Sequence, residues 1–590
     1  MMTTIKTIFS IDLRALAFFR IGLGLCLLAD LASRARDLEA HYTDAGVLPR
    51  AALLGLGHQT FSLYMIAGST WVQALLFVIA GIVSLALLVG CWTRLATFLS
   101  WILFASLIAR NTVAVQGGDN LLLLLLFWGL FLPLGARYSV DAALNQSPSP
   151  PTSYWSMATT GLLIQVMALY FFSALLKSGP EWVPQGTAIA YALHLDFFVT
   201  PLGIWMRNFP SVTYLLTLYV WYLELLAPML IFSPFWFVPI RWAMVIALAT
   251  LHLAIAAFLN VGLFPLINIV SLAVFVPTGA WEWLDRRFNG TQARGVTIYY
   301  DGDCEFCRKT CLILRTFLRL SDVRMVPAQT VPAVQKIMED QDTWVVEDAD
   351  GHKYLRWEAL TFLMKQSPFG WIGHVMGLHP FRFVGNLSYR WVAANRMRLG
   401  KITALLCPYH SSSFIPGTSL NVVTGLLLAY VLIINIQGLP MVGAYWSERF
   451  GSVRSVLGLN QRWDMFAPAP PKIDVWFVVR GETGNGAVVD VLRGTDGEPD
   501  IGKPLEAMNY YPTYRWRKYL SRLAEPNFRQ YRPAFSDYLC RTWNRSHGEA
   551  AQLASLKLYA RTEVNRLDGT IPLQETFLLL VHPCTPSAGS

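Results

Sequence analysis

Two cysteines separated by two residues, Cys304 and Cys307, carry the clearest chemistry in this chain. They follow a short strand-like run at 296–300 and precede a stretch with the spacing of an amphipathic helix. A thiol at the start of a helix lies beside unpaired amide N–H groups and the positive end of the helix dipole, which lower its pKa and favour the thiolate. The spacing therefore predicts a redox-active disulfide in which Cys304 is the exposed, attacking thiol.

Zinc binding is the alternative chemistry for these cysteines. Cys407 and His410 would complete a set of three cysteines and one histidine, which zinc accepts as ligands. We favour the redox-active disulfide over a zinc site and expect no metal. Cys311 lies one helical turn beyond Cys307, where it is either a third redox thiol or a packed core residue, and packing is the commoner role.

The composition places this motif in a membrane protein. Hydrophobic residues make up 54% of the 590 residues and charged ones only 14%, below the quarter typical of soluble domains. The net charge of +9 comes largely from Arg and Lys beside apolar runs and in the C-terminal third, so we expect no nucleic acid partner. Cys26 and Cys91, in or beside apolar helices, are expected to be inert. Apolar runs of spanning or near-spanning length lie at about 13–31, 72–90, 94–110, 119–134, 153–176, 211–232, 235–259, 261–277 and 420–436.

The expected fold is a polytopic α-helical membrane bundle of about nine spans with an inserted domain and a C-terminal soluble domain. A strand, the two cysteines, a helix and strands near 323–326 and 343–347 give a small α/β order that suits a thioredoxin-like domain. Alternating apolar and polar residues after the last span predict a mainly β domain with some helix near 512–545. The predicted units are the bundle at 1–281, a linker at 282–295, the inserted domain at 296–410, the last transmembrane helix at 417–438 and the C-terminal domain at 441–590.

The orientation follows from basic residues near the spans. Arginines at 286–294 and basic residues at 382–401 flank the inserted domain, and the positive-inside rule places such flanks in the cytoplasm. With nine spans the N-terminus is cytoplasmic and the C-terminal domain periplasmic or external, in a bacterial inner membrane. The first apolar stretch contains Arg14 and Arg20 without a convincing cleavage site, which predicts a retained helix rather than a signal peptide.

Three ionisable residues lie at membrane depth or at its edge. Lys177 closes the fifth apolar run, while Glu224 and His252 lie inside later ones. Such residues are expensive in a bilayer and are candidates for function. The structural alternatives are a snorkelling Lys177 and helix–helix hydrogen bonds from Glu224 and His252.

The pattern of Asp301, Cys304 and Cys307 resembles the DCC family of thioredoxin-like thiol-disulfide oxidoreductases. Tyr389 and Arg396 look like that family as well. The resemblance covers about 296–410. It implies that Cys304 is the nucleophile and Cys307 the resolving thiol, with Asp301 in a supporting role.

The helix end from Tyr170 to Lys177, followed by Glu181 and a tryptophan, resembles the vitamin K-dependent γ-carboxylase family and its bacterial HTTM relatives. Further motifs similar to that family occur in the same order at 252–264, 462–466 and 514–519. The resemblance implies that Lys177 is the base that deprotonates a reduced, vitamin K-like quinone.

The site around Lys177 departs from this family at one point. The family has a histidine in the polar loop before its fourth helix, whereas residues 115–120 contain none. A related quinone-linked reaction therefore fits as well as carboxylation of peptidyl glutamate. His252 and Glu224 are the expected supporting groups.

Two functions fit these observations. In the first, an integral-membrane oxidoreductase couples the dithiol to a carboxylase-like, quinone-linked site, with the lipid bilayer, a quinone and a thiol-redox protein or peptide substrate as partners. The alternative is a non-catalytic membrane scaffold or transporter-like bundle that carries a thiol redox sensor.

Overall fold

The computed structural model describes residues 2–56, 61–148, 150–288, 295–320, 322–440, 442, 454 and 457–584. Within these residues the protein is a bundle of apolar helices with two further units that each contain a sheet. This confirms the predicted fold class. The expected linker begins as a helix that runs to Phe288, and its residues 289–294 lie outside the described part, as do most residues of 441–456.

The helices and strands have the following bounds. The helices α1 to α22 are Met2–Phe9, Leu13–Ala35, Leu38–Tyr42, Arg50–Gly55, Thr70–Val89, Thr93–Arg110, Gly117–Gly129, Val140–Ala143, Met157–Leu176, Ala188–Leu193, Pro201–Met206, Pro210–Leu230, Phe237–Phe258, Phe264–Leu272, Thr278–Phe288, Glu305–Phe317, Pro332–Gln341, Arg356–Lys365, Gly370–Met376, His379–Ala394, Arg396–Leu406 and Thr418–Gln437. Two more, Tyr514–Ala524 and Arg532–Ser546, belong to the C-terminal unit. The strands β1 to β11 are Ile11–Asp12, Ser153–Tyr154, Thr297–Tyr300, Arg324–Pro327, Val345–Glu347, Lys353–Leu355, Ile473–Thr483, Val488–Asp490, Thr495–Asp496, Leu553–Val564 and Leu573–Pro583.

The described residues contain seven helices long and apolar enough to cross a membrane, or eight spans if a bent pair counts as one. The run expected at 119–134 forms α7, a helix of 13 residues and therefore about 20 Å long, which is shorter than the hydrocarbon core of a bilayer. The run expected at 261–277 forms α14, whose 3-10 extension bends by 93° into α15. The described residues therefore contain fewer full-length spans than the nine or so that were predicted. The short helix α7 does not need to reach across the bilayer, because protein encloses it from Leu121 to Gly129.

The two sheet-containing units lie at opposite ends of α2. Near the start of this helix, Arg14 pairs with Asp285, which also pairs with Arg319 of the inserted unit. Near its end, Asp30 pairs with Arg515 of the C-terminal unit. The 23 residues of α2 are about 35 Å long, enough to cross the hydrocarbon core. One unit therefore lies at each end of the bundle.

The inserted unit has a four-stranded sheet in the order β4-β3-β5-β6. The pair β3 and β4 is parallel and the other two pairs are antiparallel, with α16 connecting β3 to β4. This is the predicted thioredoxin-like arrangement, with β6 as a strand that the sequence did not reveal. Its core is apolar and consists of Val296, Ile298, Cys311, Leu318, Leu320, Val323, Val346, Ala359 and Leu363.

The C-terminal unit is a five-stranded antiparallel sheet in the order β11-β10-β7-β8-β9, packed against its two helices. A disulfide joins Cys540 in the helix Arg532–Ser546 to Cys584, directly after β11. The sequence does not predict this bond, because the two cysteines are 44 positions apart and no spacing pattern marks them.

Candidate redox site and polar pocket of the bundle

Cys304 and Cys307 form a disulfide at the start of α16. Cys304 is the N-cap residue of the helix, and the Cys307 amide N–H donates to its sulfur at 3.2 Å. Both residues are half-buried rather than enclosed in the core. The predicted position, between a strand and the N-terminus of a helix, is therefore the observed one, and it favours the thiolate of Cys304 once the bond is reduced.

Asp301 lies beside both sulfurs and is fixed by its surroundings. One of its carboxylate oxygens and the two sulfurs lie within 4.8 Å of one another. Its Oδ1 accepts from the Gln329 side-chain amide at 2.9 Å and from the Asp303 amide N–H at 3.1 Å. A carboxylate at this position can take up or deliver the proton that a thiol loses or gains.

Gln329 is a site residue that the sequence analysis missed. It follows β4, the parallel neighbour of β3, so its side chain reaches the turn after β3. There its Oε1 accepts from the Gly302 amide N–H at 3.0 Å while its amide donates to Asp301. The signal in the sequence was its place just after a strand, since the carboxyl ends of parallel strands meet at one edge of a sheet.

Tyr389 and Arg396, which resembled the DCC family, lie on the helices that follow the sheet, and Arg396 is the one of the two that approaches the redox motif. The Tyr389 hydroxyl donates to Thr343 Oγ1 and accepts from the Trp344 amide N–H, each at 3.2 Å. The Arg396 guanidinium lies 3.9 Å from Asp301 Oδ2. Arg396 therefore lies within ion-pair distance of the carboxylate beside the two sulfurs.

The other cysteines of this region do not join the disulfide. Cys311 is 3% exposed and packs in the core of the inserted unit, and burial raises the pKa of its thiol to about 12, which disfavours exchange. Cys407 lies against Cys91, and His410 pairs through its backbone with Asn145. Among the described residues, the alternative zinc set therefore does not assemble around Cys304 and Cys307.

Lys177 and Glu224 form an ion pair inside the bundle. Lys177 ends α9, and the two side chains are only 5% and 10% exposed. The Lys177 ammonium also lies 4.6 Å from the ring centroid of Trp182, within range of a cation–π contact. The structure thus brings together two of the three ionisable residues that the sequence singled out.

His252, the third of them, pairs with Tyr170 instead. Its Nε2 lies 2.8 Å from the Tyr170 hydroxyl, and its buried Nδ1 has no hydrogen-bond partner. The ring of Phe264 lies 5.8 Å away. Because Tyr170 and Lys177 are seven residues apart on one helix, they share a face of α9 about two turns apart. Both polar pairs therefore face the same side of the bundle.

The C-terminal unit covers the Lys177 end of this face. The Gly179 amide N–H donates to Pro468 O at 2.8 Å and the Trp182 indole to Phe466 O at 3.0 Å. Glu181 pairs with Lys472 at 2.5 Å. The segment 462–466, quoted from the sequence for its family resemblance, thus leads into the part of the C-terminal unit that contacts the chain just after Lys177.

A buried cluster of four charges connects the same unit to the bundle. Arg515 reaches Asp30 and Asp119, and Arg34 reaches the same two carboxylates. All four side chains are at most 6% exposed, and two cations balance two anions. The cluster explains the arginine in the helix near 514–519 as an anchor, because desolvated charges need partners on the other unit.

Comparisons with known proteins agree with this geometry. The HTTM domain family matches residues 9–281, and the DCC1-like thiol-disulfide oxidoreductase family matches residues 298–401. Neither a curated protein nor a solved structure matches the chain. The chain is therefore an integral membrane protein that combines an HTTM domain with a DCC1-like thiol-disulfide oxidoreductase domain.

Proposed function

We propose that this protein is a membrane oxidoreductase that exchanges electrons between the Cys304/Cys307 dithiol and a quinone-linked site around Lys177. The observation that carries the proposal is the disulfide between the N-cap residue of α16 and Cys307, with the Asp301 carboxylate beside it. The balanced reaction exchanges two electrons and two protons: a dithiol and a quinone give a disulfide and a hydroquinone, or the reverse.

The separation of the two sites supports a mobile carrier between them. The chain just before α9 pairs with β1, which leads into Arg14 at the end of the bundle nearest the inserted unit. At the other end of α9, the chain after Lys177 contacts the C-terminal unit. Twenty helical residues separate these ends by about 30 Å. The dithiol cannot touch Lys177 across that distance, whereas a lipid-soluble quinone moves through the bilayer.

Glu224 gives Lys177 a partner for proton transfer. An ammonium cannot accept a proton, so Lys177 acts as a base toward a hydroquinone only as a neutral amine. In this pair a neutral amine arises when Glu224 holds the proton, and the buried setting limits the supply of protons from water.

The inserted domain is proposed to be cytoplasmic and the C-terminal domain periplasmic, in a bacterial inner membrane. The two units contact opposite ends of the bundle, which supports an assignment of the two units to opposite sides of the membrane. A structural disulfide such as Cys540–Cys584 is typical of an oxidising compartment, whereas the exchanging pair is suited to a reducing one.

An anaerobic quinone assay tests the central proposal. The full-length protein is reduced in lipid nanodiscs that contain a benzoquinone or naphthoquinone, and the quinone absorbance is followed. We expect each protein molecule to reduce about one quinone through its Cys304/Cys307 pair. The variant Cys304→Ser/Cys307→Ser should reduce none. If oxidised glutathione reoxidises the dithiol while every quinone leaves it reduced, the scaffold with a thiol sensor is the better description.

A further inference from the structure

Cys91 and Cys407 meet where the bundle contacts the inserted unit. Their sulfurs are 3.9 Å apart although 316 residues separate them in sequence. Neither is in a disulfide, and both are half-buried. A disulfide has its sulfurs about 2.05 Å apart, so the pair needs to close by about 1.9 Å to form one. Rotation about the two Cα–Cβ bonds can supply much of a shift of this size.

The surrounding contacts hold this junction in place. The Trp92 indole donates to Leu406 O at 2.6 Å. Three residues beyond Cys407, His410 forms a parallel bridge with Asn145, whose side chain also accepts from the Ser412 amide N–H at 3.2 Å. The segment 406–412 is thus docked on two loops of the bundle, and the approach of the two sulfurs is part of that docking.

The same segment contacts the helix that begins at the redox motif. The Lys309 ammonium, on α16, donates to Thr403 O at 3.3 Å and lies 5.0 Å from the ring centroid of Tyr409. The Cys407 segment therefore lies between the bundle and α16. A covalent bond at Cys407 would fix this segment, and with it one contact of α16, to the bundle.

We propose that Cys91 and Cys407 are a second dithiol centre, which forms a reversible disulfide between the membrane bundle and the segment that directly follows α21 of the inserted unit. The inference does not depend on the quinone-linked reaction, because it concerns a different pair of cysteines. It departs from the expectation that Cys91 is inert. That expectation rested on the neighbouring apolar helices, whereas the proposed partner comes from far along the chain.

The oxidant is a small disulfide that enters beside Cys407. Cys407 and Leu406 line an open cleft of about 390 Å³ together with Trp92. Burial, with the neighbouring Cys407 as a further cause, raises the pKa of Cys91 to about 12. Cys91 does not line this cleft, so a small disulfide meets Cys407 first, which makes Cys407 the first nucleophile.

The exchange is balanced in two steps. The Cys407 thiolate attacks one sulfur of the small disulfide, forms a mixed disulfide and releases one thiolate. Cys91 then loses its proton and attacks Cys407 Sγ, which forms the Cys91–Cys407 bond and releases the second thiolate. Two electrons pass from the protein to the small disulfide, and the two protons pass to its two leaving thiolates.

The test uses the full-length protein with Cys304→Ser/Cys307→Ser, so that only the second pair exchanges. After treatment with oxidised glutathione, peptide mass spectrometry is expected to show a Cys91–Cys407 cross-link that dithiothreitol removes. Adding Cys91→Ser should instead leave glutathione on Cys407, whereas adding Cys407→Ser should leave Cys91 unmodified. Buried Cys311 is the internal control and stays free.

Two results would overturn the proposal. One is that both thiols remain free at glutathione concentrations that fully oxidise Cys304 and Cys307 in the unmodified chain. The other is that the two residues acquire separate glutathione adducts and no cross-link, which would show that their sulfurs do not come together in solution.

Discussion

The ammonium of Lys177 and the carboxylate of Glu224 pair inside the bundle, at the point where α9 gives way to a loop covered by the C-terminal unit. Stability and catalysis make opposite demands on this pair. For stability, the two buried charges must remain paired; for catalysis as a base, Lys177 must lose its proton and therefore its charge. Structural and catalytic roles therefore have to be separated by experiment.

We expect Lys177→Met to lower the free energy of unfolding by about 3–5 kcal/mol, because it leaves the Glu224 charge buried without a partner. The double variant Lys177→Met/Glu224→Leu removes both charges and should recover most of that loss. Quinone-linked turnover should be absent from both. Thermal unfolding and turnover, measured on the same preparations, separate the roles. Full turnover in the double variant would show that the pair is structural only.

Lys177→Arg is the matched control for charge. It keeps a cation beside Glu224, so the protein should unfold close to the parent temperature. Turnover should still be lost, since a guanidinium does not give up its proton near neutral pH. An active Lys177→Arg protein would exclude Lys177 as the general base.

The order of attack at the dithiol is tested by trapping. The variant Cys307→Ser lacks the resolving thiol. After treatment with oxidised glutathione, a mixed disulfide between Cys304 and glutathione should therefore accumulate and persist. In Cys304→Ser the adduct on Cys307 should form more slowly, because Cys304 and not Cys307 lies at the N-cap. Intact-mass spectrometry over time measures both. Equal rates of adduct formation would remove the assigned difference between the two thiols.

The carboxylate of Asp301 should speed this exchange by proton transfer. We expect Asp301→Asn to slow exchange with oxidised glutathione by roughly 10²-fold, in the range of general acid–base catalysis, and to change its pH profile. Gln329→Leu removes the amide that orients the carboxylate and should give a smaller loss with the same change of profile. Thr330→Val, at the next residue and exposed, is the control. If neither site variant changes the exchange rate or its pH profile, Asp301 is only a structural residue of the turn.

Much of this site was predictable because local signals define it. The strand, the two cysteines and the helix lie within 21 consecutive residues, so the sequence alone predicts Cys304 at an N-cap. The residues that sequence reasoning missed act over long separations. Gln329 joins the motif through a parallel strand pair, and Cys407 meets Cys91 across 316 residues. Such contacts are set by packing, for which a single sequence carries no local pattern.

The bundle shows the same division. Hydrophobic length located the long helices and the short run that forms α7, but it did not reveal that α7 is enclosed by protein. The pairing of Lys177 with Glu224, and of His252 with Tyr170, also depends on how α9, α12 and α13 pack. The sequence shows that these ionisable residues are unusual in or beside apolar runs, whereas their partners follow only from the packing of the helices.

Cys311 provides a prediction about pH. Burial raises the pKa of its thiol to about 12, above the value of about 9 for an exposed thiol. The protonated form is favoured in the folded state, so this contribution to stability is complete below pH 9 and is lost as pH rises toward 12. Iodoacetamide at pH 8.5 should therefore leave Cys311 unmodified in the folded, reduced protein while it alkylates Cys304. Early alkylation of Cys311 would show that it is a third exchanging thiol.

The sidedness of the two soluble domains can be measured with one reporter in each. Asp350 and Glu549 are exposed residues of the inserted and C-terminal units. In intact bacterial cells, a membrane-impermeant maleimide should label Glu549→Cys strongly and Asp350→Cys no more than the parent chain. Both variants should be labelled after the membrane is permeabilised, which controls for access. This expectation rests on the basic flanks of the inserted unit, which favour the cytoplasmic side, and on the contacts of Arg319 and Arg515, which lie at opposite ends of the bundle. Labelling of Asp350→Cys in intact cells would reverse the topology, and labelling of both would contradict the arrangement of the two units about the bundle.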